Sequence, residues 1–302
     1  MVNVTGAFSY LIAPGLRKVF FQLLEERPPE YDKIANEESS ERAWEEDLEV
    51  AGLRSMPVKP EGRGIQYQDL LQGGKKRYTH LTYGLGFRVT LEMMEDDLYN
   101  VMKKNTRELA KAARNAREVA FFNMLNNAFT TEFGFPKFGN NESLIAATHT
   151  KMGGGTGSNR ASTDADLSPT SLEAAIIAFE VLSDEMDIPC IIKPKLLLCG
   201  PQLKMTAREI LGSEFRPYTS NNEINALREE GLDYMVGHYI VDPDSWFLLA
   251  GKGDHDLNFF ERQPERFQNG DDFDTGDAKF KSFQRFSVGA GEWRGIYGSQ
   301  GA

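Results

Sequence analysis

The sequence predicts an α+β protein whose extended, charged front half leads into a globular back half. Three observations carry that reading. Residues 91–133 hold neither proline nor glycine and repeat apolar side chains at helical spacing. Residues 79–89 alternate apolar and polar side chains with period two. From about residue 135, short helix-like and strand-like stretches alternate between glycine- and proline-rich breaks. A chain of 302 residues, 40% apolar and 26% charged, is long enough for a sizeable core and is neither a disordered nor a membrane composition.

The first 50 residues read as an acidic arm. Leu16, Val19, Phe20, Leu23 and Leu24 fall on one helical face, and Pro28-Pro29 stops the helix. From Glu25 to Glu49 eleven acids face three bases, a net −8 out of −11 for the whole chain. With little apolar content besides Tyr31, Ile34, Trp44 and Leu48, this segment is expected to lie on another surface.

Residues 56–90 read as a long hairpin. Ile65 to Leu71 forms one strand and Gln72-Gly73-Gly74-Lys75 the turn. The return strand points Thr79, Leu81, Tyr83, Leu85, Phe87 and Val89 one way. The tip then carries Lys75, Lys76 and Arg77, with Asp69 the one acid between Gly62 and Leu91. A two-stranded hairpin this long is marginal alone and needs a partner surface.

Residues 92–128 read as one helix, with Leu98, Met102, Leu109, Ala113, Ala116, Ala120 and Met124 on its inner stripe. At 1.5 Å per residue it would span about 55 Å, more than a compact domain of this size. Lys103, Lys104, Arg107, Lys111, Arg114 and Arg117 form a basic outer face. The stripe is too rich in alanine for a zipper, so the helix reads as a structural spine.

The back half holds a Gly/Ser/Thr/Asn loop at 152–166. A helix follows with Ser168 as N-cap and Pro169 at its first position, burying Leu172, Ala175, Ile176, Phe179 and Leu182. Lys195–Cys199 is a buried strand and Gln202–Leu211 a helix. Further strands are expected at Tyr239–Val241, Trp246–Ala250, Leu257–Glu261 and Lys279–Val288.

Motifs for chemistry fail. Gly153–Ser158 lacks the Lys-Ser/Thr ending of a phosphate loop. Asp271–Gly276 resembles a calcium loop but has no closing glutamate. His80 and His149 lack a readable catalytic partner and read as surface hydrogen-bonders. Cys190 and Cys199 form no CxxC and read as buried small hydrophobes, so neither a structural metal nor a cofactor is expected. The acidic balance disfavours tight nonspecific DNA binding by the chain as a whole. No apolar run approaches the ~20 residues of a membrane span, and the N-terminus lacks a secretory leader's basic start. A reducing cytoplasm is expected. Architecture, not catalysis, is the expected role.

The order of parts, acidic arm, basic-tipped hairpin, spine helix and α/β domain, is distinctive. Local phrases accompany it: Lys76–His80 leading to Tyr83–Thr90, Glu95–Tyr99, Ser168–Ala175, Pro194–Leu198, Asn221–Asn225 and Gly291–Ser299. Together they resemble the major capsid protein of tailed bacteriophages, with the Hong Kong 97-like fold. The resemblance implies an N-terminal arm at 1–55, an extended loop at 56–90 and a peripheral-domain spine at 91–134. A mainly axial domain follows at 135–278, with strands at 279–302 returning to the peripheral domain.

It also implies self-assembly as hexamers and pentamers into an icosahedral shell made in the host cytoplasm. That shell encloses double-stranded DNA without sequence-specific contact, and a negative lumen would keep the DNA mobile. A separate scaffolding protein, a portal and decoration proteins are implied partners. Some members crosslink through a lysine of the extended loop, where Lys75 and Lys76 lie. The partner asparagine and catalytic glutamate have no match here, so that chemistry is not carried over. An encapsulin-type protein compartment shares the fold and is the nearest alternative; a small-molecule enzyme with a helical arm is a remote one. Candidate contacts between subunits are Lys75, Lys76 and Arg77 at the tip and Arg107 and Arg114 on the spine. On the arm they are Glu37, Glu38, Glu41, Trp44, Glu45 and Glu46.

Overall fold

A computed structural model describes residues 6–302 except 27, 91, 94–98, 138–139, 218–223 and 273. The chain divides into two compact units. One gathers the chain up to Glu45, Thr79–Phe121 and Phe259–Val288; the other gathers Glu46–Tyr78, Phe122–Asn258 and Gly289–Ala302.

The first unit is a helix-covered sheet. Four strands lie in the order β1 (Asn36–Ser39), β12 (Leu257–Asp271), β13 (Ala278–Ala290) and β4 (Leu81–Val89). Strands β13 and β4 pair antiparallel from Ala278↔Val89 to Phe286↔Leu81. Along β13, Ala278, Phe280, Ser282, Gln284 and Phe286 are buried while Lys279 and Lys281 stand out, the period-two pattern of a half-covered sheet. The covering layer is α1 (Gly6–Glu25) and the spine helix α2 (Tyr99–Asn126). Leu16 and Phe20 of α1 pack with Met102, Leu109 and Ala110 of α2 against Phe267 and Phe280.

The second unit centres on β9 (Pro194–Cys199). This strand runs parallel to β10 (Asp233–Val236) and antiparallel to β11 (Trp246–Ala250), and β14 (Ile296–Ser299) closes the sheet beside β11. Helices α3 (Pro169–Glu180), α4 (Lys204–Gly212) and α5 (Ala226–Glu229) supply its core partners. Leu172, Phe179, Ala207 and Ile210 pack with Leu197, Leu248 and Trp246. The N-terminus of α3 follows the sequence reading: Ser168 Oγ accepts the Ser171 N–H at 3.2 Å, and Ser171 Oγ accepts the Ser168 N–H at 2.8 Å. Short ribbons join β5 (Phe135–Lys137) to β6 (Asn140–Glu142) and β7 (His149–Thr150) to β8 (Thr156–Gly157). The pair β2 (Trp44–Val50) and β3 (Gln72–Thr79) completes the sheets.

Several expectations change. The arm does lie on another surface, but that surface belongs to its own chain: Leu16, Phe20, Tyr31, Ile34 and Ala35 are buried, with the spine and sheet of the same unit supplying the apolar cover. Its helix begins well before the Leu16–Leu24 stripe, at Gly6, and passes through Pro14 and Gly15. The hairpin of 56–90 does not form. Residues 51–71 carry no strand, β3 pairs with β2, and β4 pairs with β13. Gly73 and Gly74 lie inside β3 rather than in a turn, for a packing reason. A Cβ on Gly74 would stand 1.6 Å from the Pro136 carbonyl oxygen, so glycine permits backbone contact there. The reversal falls instead at Pro60–Arg63, where Arg63 N–H reaches the Pro60 carbonyl and Gly62 takes φ +76°.

The spine has 28 described helical residues in α2, about 42 Å at 1.5 Å per residue. Leu98 and the Glu95–Asp97 phrase lie outside the described residues, as do Asn221–Glu223. Tyr239–Val241 is not a strand, because Asn126 binds its backbone: Nδ2 donates to the Tyr239 carbonyl and Oδ1 accepts the Val241 N–H. The final segment divides at Val288. β13 joins the first unit's sheet, while β14 belongs to the second, so 279–302 does not return as one piece.

Candidate assembly interface

The arm is tied down by two side chains of α2, Glu118 and Arg117, the second of which the sequence places on the solvent face. Glu118, 2% exposed, accepts the backbone N–H groups of Glu30 at 2.6 Å and Tyr31 at 3.1 Å. Burial raises its pKa above the ordinary carboxylate value. Arg117 also turns inward. It donates to Gln284 and Glu261 at 2.7 Å each and to the Tyr31 hydroxyl at 3.3 Å, and it pairs with Glu265 at 3.2 Å. Tyr31 stacks on Phe259 at 4.7 Å, and burial pushes its pKa up to about 12. These partners lie more than 80 residues apart in sequence, so no local spacing could reveal them.

His80 and His149 are buried, not surface residues. His80 meets Ser40 Oγ at 2.9 Å and Ser287 Oγ at 3.0 Å, and Ser40 in turn donates to Glu45 at 2.6 Å. His149 stacks on Trp293 at 4.2 Å and meets Asn159 at 2.9 Å. Burial lowers both imidazole pKa values.

The three basic residues read as a tip separate by strand alternation. Lys75 and Arg77 face out from β3, and both bind Glu46 of β2 at 2.5 Å. Lys75 first, then Arg77, holds the Glu46 carboxyl below its usual range. The cations thus have a carboxylate in their own chain, which the reading denied them because it placed them at a remote turn. Lys76 points inward: Nζ donates to the Phe133 carbonyl at 2.8 Å and lies 4.4 Å from the Phe135 ring centre. Burial pushes its pKa down to about 8.

A charge cluster unseen in the sequence fixes the far end of β2. Lys137 Nζ, buried, reaches Glu49 at 2.9 Å and Glu185 at 3.0 Å. Glu185 also pairs with Arg294 at 2.9 Å and accepts the Met152 N–H at 2.6 Å. Burial would raise the Glu185 pKa, but that N–H and the two cations outweigh it and hold it below the ordinary value.

From this anchored base runs the loop of 52–71. The Ala51 N–H donates to the Leu71 carbonyl, and the Gln68 side chain accepts the Arg54 N–H at 3.1 Å. Beyond that the segment presents bare apolar groups: Met56, Val58 and Tyr67 are 96%, 92% and 95% exposed. Strand β4 forms one edge of its sheet, and Leu81 and Leu85 on it are more than half exposed. Among the other candidate contacts, Glu37, Glu38, Glu41 and Trp44 are exposed, as is Arg107, and Arg114 is half-buried. Among the described residues, no helix is long and apolar enough to cross a membrane, and no cluster of three metal-ligating side chains occurs.

The family model for phage capsid proteins matches residues 74–299. Solved structures with the same fold include a chain of the procapsid of bacteriophage JBD30, 14% identical over 98% of this chain and 76% of that one, at TM-score 0.56. The capsid of cyanophage P-SCSP1u matches at 9% identity over 91% and 89% of the two chains, with TM-score 0.59. The SrpI encapsulin of Synechococcus elongatus PCC 7942 matches at 12% over 91% and 88%, with TM-score 0.51. No curated protein matches the sequence.

Proposed function

The chain belongs to the phage capsid protein family, and from that premise we propose that its copies join as hexamers and pentamers into an icosahedral shell around a double-stranded DNA genome. The observation that carries this reading is the 52–71 loop, whose apolar side chains stand in solvent at a density that a free monomer does not favour. The open edge of β4 presents a second surface suited to cover by another chain, since an unpaired apolar edge invites strand addition. An adjoining copy can cover both.

In this reading the role is structural and needs no catalytic group. A scaffolding protein, a portal and decoration proteins act as partners, and assembly precedes virion formation in the host cytoplasm. The test is sedimentation of the purified chain beside a variant in which residues 55–69 are replaced by a short Gly-Ser linker. The wild type is expected in fast-sedimenting shells and the variant in slow, folded species. Shells of equal yield from the variant would remove the loop from assembly. The likeness to an encapsulin keeps a protein-filled compartment as the second reading. The contents of shells isolated from infected or expressing cells, DNA against a protein cargo, decide between them.

A further inference from the structure

We propose that the outward face of the spine helix α2 lines the lumen of the shell and contacts the phosphates of the packaged DNA. This rests on the genome-enclosing reading above. Lys104, Arg107 and Lys111 are exposed on α2 and Arg114 is half-exposed, at steps of three and four residues that keep them on one side. They span about 15 Å of helix. Glu108 is the one acid on this face among the described residues, and it is bound to Lys111 at 2.8 Å. The other acid of the helix, Glu118, is turned into the protein. A strongly cationic stripe therefore stands on a chain of net charge −11.

The acidic arm of a neighbouring copy is the alternative counter-charge for this stripe. Within the chain Glu45 meets Ser40, Glu46 binds Lys75 and Arg77, and Glu49 binds Lys137, while Glu37, Glu38 and Glu41 are exposed. A duplex offers a denser counter-charge than those scattered carboxylates, about one negative charge per 1.7 Å of its length. A stripe without base-reading geometry recognises phosphate density rather than sequence. The lumen then carries an array of cationic contacts, one per subunit, against the outer layer of DNA.

The test uses full-length protein held below its assembly concentration and a fluorescent random-sequence 40-bp duplex, with anisotropy titrations across a salt series. The wild type is expected to bind at low salt, with affinity falling linearly in log salt. Lys104→Glu/Arg107→Glu/Lys111→Glu/Arg114→Glu is expected to lose at least about 100-fold in affinity at low salt and to flatten the slope by roughly 3 to 4. The control Arg266→Glu/Lys281→Glu, exposed positions of β12 and β13, is expected to bind as the wild type does. Circular dichroism establishes that each variant is folded. Unchanged DNA binding in the quadruple variant overturns the proposal, as does equal loss in the control. A quadruple variant that binds DNA normally but no longer assembles would mark the face as a contact between copies and also overturn it. Whether the wild type forms shells is scored separately by electron microscopy, so failure of the shell reading is distinguishable.

Discussion

Lys76 and Glu118 place ionisable groups where water is scarce, and each yields a measurable consequence. Lys76 has a folded pKa of about 8, below its ordinary 10.5, because burial disfavours its charge. Between those values the unfolded chain binds more protons than the folded one, so stability rises with pH across that window, by roughly 3 kcal/mol in all. Urea midpoints of the wild type are therefore expected to climb from pH 8 to pH 10.5 relative to Lys76→Met. Parallel pH profiles for the two would contradict the buried, depressed amine. Glu118→Ala leaves the Glu30 and Tyr31 N–H groups without their acceptor and is expected to cost about 2–4 kcal/mol in urea unfolding, with Glu118→Gln less damaging. The basic triplet divides in the same way. Lys75→Glu/Arg77→Glu removes exposed pairs and leaves the fold intact, whereas Lys76→Glu puts a carboxylate beside Phe135 and is expected to destabilise the chain strongly. Equal melting temperatures for the two variants would refute that division.

At the scale of elements, the parts legible in the sequence are those with local causes. Ser168 and Pro169 start α3 because both act within one turn, and the stripe from Leu172 to Phe179 is buried as its spacing requires. The Pro- and Gly-free run gives the spine, and Lys195–Cys199 and Trp246–Ala250 are strands because continuous apolar runs fill a sheet covered on both faces. The misread parts have distant causes. The Gly-Gly pair looks like a turn until Pro136 is placed against it, and Ile65–Leu71 looks like a strand although no strand pairs with it among the described residues. That last mismatch is informative: the apolar pattern is real, and in the proposed shell an adjoining copy covers it. Replacing residues 55–69 with a Gly-Ser linker is therefore expected to leave the melting temperature within about 2 °C, because none of the large side chains it removes is buried. A collapse of the monomer on that replacement would show the loop to be part of the core.

For the whole molecule, burial and charge point to a subunit completed by its neighbours. Two apolar cores, one under the spine and one around β9, lie within the single chain. The candidate site was only partly readable. Lys75, Arg77 and Glu46 are where cations and acid meet, but within one chain. The anchors Arg117, Glu118, Lys137, Glu185 and Arg294 depend on partners across long stretches of sequence, so composition and spacing pass over them. The central claim is that this chain builds a closed shell, and cryo-electron microscopy of the purified full-length protein tests it most directly. The account predicts icosahedral particles with pentamers at the vertices, hexamers between them, and the 52–71 loop covered by an adjacent subunit. A protein that remains a 33.9 kDa monomer under every assembly condition, with that loop in solvent, would contradict it.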